Sequence, residues 1–158
     1  MNKDLREKIL FLKKVVMREL KHLLYSDKKI FDNVITIEKI KTLTTDEVFA
    51  EQVEAFGSRF GRLQDTLGQK LLPAWLKVLG EQPTSFIDNL NKAEKLGILP
   101  SVEEWMRLRE LRNQMVHEYI DDDKIFFNAL KLAHASVPLI KKVMNALVHD
   151  LEKRGYVS

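Results

Sequence analysis

The sequence predicts an all-α protein, an up-and-down bundle of four to five helices, on three observations. Apolar residues recur every three or four positions through most of the chain, the period of a helix that buries one face. Helix-start residues stand directly ahead of several of those runs, at Thr44-Thr45-Asp46-Glu47, Thr84-Ser85 and Pro100-Ser101-Val102-Glu103-Glu104. Only Lys29 to Ile37 has the β-branched character of a strand, and no second such stretch is present to pair with it. The 158 residues suffice for one domain with a sizeable core. Within residues 1–158, residues 1–44 read as an N-terminal helix plus a variable connection, and residues 45–154 as the core.

The first helix is expected over residues 3–25, with Leu5, Ile9, Leu12, Val16, Leu20 and Leu23 on one face. Leu10, Phe11, Val15, Met17 and Leu24 widen that face beyond what one neighbour covers, so the helix belongs at the centre of a bundle or at a subunit contact. Residues 26–44 read as a short helix or an extended connection. Thr44 is the expected N-cap of the next helix, with Glu47 closing a capping box. Its apolar line runs Val48, Val53, Phe56, Phe60, Leu63, Leu67, Leu71, Trp75 and Leu79, with a kink expected around residues 69–73 because Pro73 lacks a backbone donor. Gly57 and Gly61, four apart, point to a close helix–helix approach.

Gly80 to Pro83 ends that helix, and Thr84-Ser85 starts a short one that Gly97 closes as a left-handed cap. The Pro100–Glu104 signal then launches Trp105, Leu108, Leu111 and Met115. After Asp123 a last helix runs to about Arg154, with a kink expected at Pro138 and a loose tail from Gly155 to Ser158.

Composition narrows the chemistry. With no cysteine, disulfides, thiolate catalysis and cysteine-ligated zinc are excluded. A charged amphipathic start and no long apolar run point to a cytoplasmic protein without a membrane segment. The net charge is +3, unevenly spread: residues 1–30 carry nine bases against four acids, a basic surface suited to RNA or an acidic partner and equally to a solvated helix face. His22 reads as structural or solvated. His134 and His149 have no second ligand at metal spacing, and neither a glycine-rich phosphate loop nor a serine nucleophile elbow is present, so no metal and no cofactor is expected.

The stretch that carries chemistry is Arg112-Asn113-Gln114-Met115-Val116-His117-Glu118-Tyr119, followed at once by Asp121, Asp122 and Asp123. On a helix His117 lies roughly 140° around and about 7.5 Å along from Arg112, so long side chains could bring both heads to one small anion. Tyr119 joins them only if the helix ends or tightens at the acidic run. A guanidinium grips a phosphate through parallel hydrogen bonds, and histidine moves protons near neutral pH. The bland alternative is a surface arginine, an interfacial histidine and a packed tyrosine.

Arg112 to Tyr119 resembles the arginine, four residues, histidine, one residue, tyrosine motif of the HEPN superfamily. It is closest to the HepT-like toxins encoded beside a minimal nucleotidyltransferase antitoxin, and Asn113 after the arginine also matches. The resemblance extends from Glu47 to His149, through Phe56-Gly57-Ser58-Arg59-Phe60-Gly61-Arg62-Leu63-Gln64-Asp65. It implies a HEPN-like homodimer whose two motifs face a shared cleft. The implied activity is metal-independent endoribonuclease cleavage of RNA, leaving 2′,3′-cyclic phosphate and 5′-hydroxyl ends, neutralised by the partner nucleotidyltransferase. Arg112 and His117 are then catalytic, and Asn113 and Tyr119 bind substrate. Arg59 and Arg62 either contact substrate or pair with acidic neighbours. Tyr119 is also the implied acceptor of AMP groups. A second reading makes the same residues part of a non-catalytic substrate- or nucleotide-binding partner of a nucleotidyltransferase. Residues up to about 44 have no counterpart in the smaller family members.

Overall fold

A computed structural model describes residues 2–117, 119 and 121–158 and shows an all-α bundle; among the described residues there is no strand. Helix α1 spans Lys3–Phe31, opened by Asn2, whose side chain accepts from the Leu5 N–H at 3.0 Å. It runs six residues beyond the expected end at 25. The buried stripe Ile9, Leu12, Val16, Leu20 and Leu23 continues through Ser26 to Ile30, and the polar Ser26 is what breaks the apolar pattern. The strand-like stretch thus divides between the last turn of α1 and the connection to α2 (Ile37–Lys41), capped by Thr36 and followed by a 3₁₀ turn at Thr42–Thr44.

Helix α3 spans Glu47–Thr66, and its N-cap is Asp46, not the expected Thr44: the Asp46 carboxylate accepts from the Phe49 N–H at 3.0 Å. A carboxylate suits the positive helix N-terminus better than a hydroxyl. That bond and the Lys39 ammonium hold the Asp46 carboxyl below its usual range. The expected kink is a π turn at Leu67–Leu71, in which the Leu72 N–H reaches back to the Leu67 carbonyl. Pro73 sits at the start of α4 (Leu72–Val78), where its missing N–H costs least.

Helix α5 (Phe86–Lys95) is capped by Ser85, with Gly97 at φ 79° closing its end while Ile98 bonds back to the Ala93 carbonyl. Helix α6 spans Val102–His117; the Ser101 hydroxyl accepts from Glu104 N–H and the Glu94 carboxylate from Val102 N–H. Helix α7 spans Asp123–Lys153 and continues through Pro138. The tail is not loose. Gly155 turns left-handed, Val157 is buried, and the Ser158 carbonyl accepts from the Lys13 ammonium at 2.6 Å.

Helix α1 packs on α3, α6 packs on both α3 and α7, and α5 caps the end near α4. The buried residues form one cluster that includes Ile9, Val16 and Leu23 of α1. No helix among the described residues is long and apolar enough to cross a membrane.

Candidate functional site

Where α3, α6 and the start of α7 meet, they leave an open cleft of about 540 Å³. Val53, Glu54, Gly57, Ser58, Arg62 and Asp65 line it from α3. Arg112, Met115 and Val116 line it from α6, with Tyr119 and Phe126 beyond. The α3 side repeats every three or four positions and lies beside the buried Phe56–Phe60–Leu63 stripe of that helix, with Val53 at the border between the two.

Arg112 enters the cleft across Gly61. A Cβ at position 61 would stand 2.5 Å from Arg112 Nε and 2.8 Å from its Cδ, so a side chain there would displace the arginine from this path. The guanidinium then donates from Nη1 to Asp65 Oδ2 at 2.6 Å. Both side chains are about one-third exposed (37% and 34%), which places the pair in the range of surface ion pairs, of order 1 kcal/mol or less. Gly57, the other small residue of α3, has open space where a side chain would go.

Helix α6 ends at His117, and Tyr119 lies in the turn that follows. There it lines the same cleft as Arg112, its ring edge-on to Phe126 at 5.3 Å. Burial, reinforced by the negative charge of Glu54, pushes the Tyr119 hydroxyl above its ordinary pKa, so at neutral pH it is a protonated donor. The acids after it serve α7: Asp122 accepts from the Ile125 N–H at 3.0 Å, and Asp123 stands in the first turn.

The other expected residues divide. Arg62 lines the cleft and donates to Ser58 Oγ at 3.2 Å. Arg59 turns to α1, donating to Ser26 Oγ at 2.6 Å and to the His22 carbonyl at 3.2 Å, a tether between two helices. Asn113 faces another depression with Met106, Arg109 and Glu110. His117 is exposed at the end of α6 and is not among the residues lining the cleft. Within one chain, therefore, Arg112, Tyr119 and Arg62 come together, and Arg59, Asn113 and His117 stand apart from them. Sequence reading missed Asp65 and Glu54, although both fall at helical spacing with Ser58 and Gly61. Among the described residues two arginines and two carboxylates line the cleft, so the charge of each guanidinium has a carboxylate on the same surface to offset it.

Among the described residues, no group of three or more acidic, histidine or cysteine side chains stands where it could hold a metal ion. Compared with protein-family models, curated proteins and solved structures, the chain gives no match.

Proposed function

We propose that this chain is a metal-independent endoribonuclease of the toxin type, acting as a homodimer and neutralised by a nucleotidyltransferase antitoxin, in the manner of the HepT-like HEPN proteins it resembles. The observation that carries the reading is the placement of Arg112 and Tyr119, two members of the motif, in one cleft beside the helix end that bears His117. In this scheme the ribose 2′-oxygen attacks the adjacent phosphorus and the bond to the 5′-oxygen breaks. A neutral His117 takes the 2′-hydroxyl proton, and a protonated His117 of the second copy gives one to the 5′-oxygen. Arg112 stabilises charge developing on the phosphoryl oxygens, commonly the largest single contribution. The exposure of His117 favours a dimer, since it leaves the imidazole accessible to a second chain. Tyr119 would be the acceptor for AMP, whose phosphate adds negative charge where RNA must bind.

A second reading, a non-catalytic nucleotide-binding partner of a nucleotidyltransferase, is favoured by one observation: Arg112 is already paired with Asp65 while His117 lies outside the cleft. Incubation of purified protein with mixed RNA in excess EDTA separates the two. Cyclic-phosphate fragments from the native chain, with the His117→Ala variant and a DNA substrate both inert, are the expected result. Intact RNA with a folded, unmodified dimer would transfer the assignment to the binding partner. Equal cleavage by both proteins would remove His117 from the mechanism.

A further inference from the structure

We propose that Asp65 and Gly61 are the positioning residues for Arg112: a post and a notch on α3 that fix the guanidinium before any ligand arrives. They are four residues apart and therefore stacked on one face of α3. The notch is steric. Arg112 Cγ, Cδ and Nε all pass within 3.1 Å of where a Cβ at position 61 would stand, so the stem crosses α3 along one path. The post is electrostatic. Asp65 Oδ2 takes the Nη1 end at 2.6 Å, which orients the planar fork of an arginine that lines the cleft. Freezing a long arginine ahead of binding removes an entropic cost that ligand capture would otherwise carry. Asp65 also cancels the charge of Arg112, so it orients the side chain while weakening the long-range pull on phosphate.

That opposition gives the proposal a signature. A residue that merely holds the fold would lower binding and turnover together. Removing Asp65 adds net positive charge to the cleft and frees the guanidinium, so RNA is bound as tightly or more tightly while cleavage slows. Misplacement of a reacting group by about 1 Å costs on the order of a hundredfold in rate. Gly61 gives the complementary case, because alanine is the better helix former and its methyl group occupies the path of Arg112.

The test compares wild type with Asp65→Ala, Asp65→Asn, Asp65→Glu and Gly61→Ala, reading kcat and KM on RNA, Tm, and the nitrogen-15 NMR signal of the Arg112 Nε–H group, assigned by its loss in Arg112→Ala. Asp65→Ala is expected to cut kcat by on the order of a hundredfold with KM unchanged or lower, Asp65→Glu to recover part of the loss, and Asp65→Asn to recover less. Gly61→Ala is expected to keep or raise Tm while losing turnover. In both Asp65→Ala and Gly61→Ala the Arg112 signal should shift and broaden. Wild-type turnover in either variant would overturn the proposal, as would an unchanged Arg112 signal. The kinetic arm rests on the cleavage reading; a wild-type chain that cuts no RNA defeats that reading, and the NMR arm still decides whether Asp65 and Gly61 position Arg112.

Discussion

Arginine 59 and arginine 62 are three positions apart on one helix and do different work. Arg59 fastens α3 to α1 through Ser26 and the His22 carbonyl, while Arg62 looks into the cleft. Nothing in the sequence separates them, because the difference lies in which neighbour each meets across tens of residues of chain. The same holds for Asp65, whose partner Arg112 is 47 positions away. Arg112 and His117 share α6 but not one cleft within the chain: Arg112 lines the cleft, and His117, on another side of the helix, is exposed. Glu19 gives the residue scale its pH dependence. Its Oε1 is buried without a hydrogen-bond partner, and burial raises its pKa against the opposing effects of Thr66, Arg62 and Lys70. A carboxyl whose folded pKa is raised costs nothing below the unfolded value of 4.5 and weakens the fold as pH rises through the folded one. Glu19→Gln is therefore expected to raise Tm at pH 7 and to leave it unchanged near pH 3.5; thermal unfolding at the two pH values checks this. A lower Tm at pH 7 would mean that the cationic neighbours outweigh burial.

At the scale of elements, the caps of α5 and α6 and the break before Pro73 were legible, whereas the end of α1 and the cap of α3 were not. Ser85, Gly97 and Ser101 act at the termini the sequence marks, because capping chemistry is local. The overlong α1 escaped because Ser26 is a polar residue on a buried face, and burial there is set by Arg59 of another helix. Asp46 took the cap from Thr44 because the 3₁₀ turn at Thr42–Thr44 consumes the preceding residues. The acidic run after Tyr119 has an element-level role in holding the first turn of α7. Removing the cap with Asp122→Ala is expected to cost about 1 kcal/mol, read as a lower Tm or denaturation midpoint. An unchanged midpoint would show that Asp121 or Asp123 replaces it.

For the whole molecule, the all-α class follows from periodicity alone, whereas the cleft does not. Its walls come from α3, α6, the turn at Tyr119 and α7, stretches far apart in the chain that only the packed bundle brings together. The π turn at Leu67–Leu71 has a consequence for how the chain is read as a single object. A π turn holds one residue more than an α turn, so it behaves as an insertion that slips the helical phase. Upstream, Phe56, Phe60 and Leu63 mark the inward direction; downstream, Leu72, Trp75 and Leu76 mark it again, and a continuous α-helix would rotate Leu72 and Leu76 away from it. Lys70 is exposed, so its loss removes the extra residue without touching the core. That deletion places Pro73 inside an unbroken α-helix, at a cost of about 3 kcal/mol. A chain lacking Lys70 and carrying Pro73→Ala is expected to fold with Trp75 still buried, read by its fluorescence, whereas the deletion alone is expected to be much less stable. The extra residue and the proline are thus a frameshift and its suppressor, written a few positions apart in one helix.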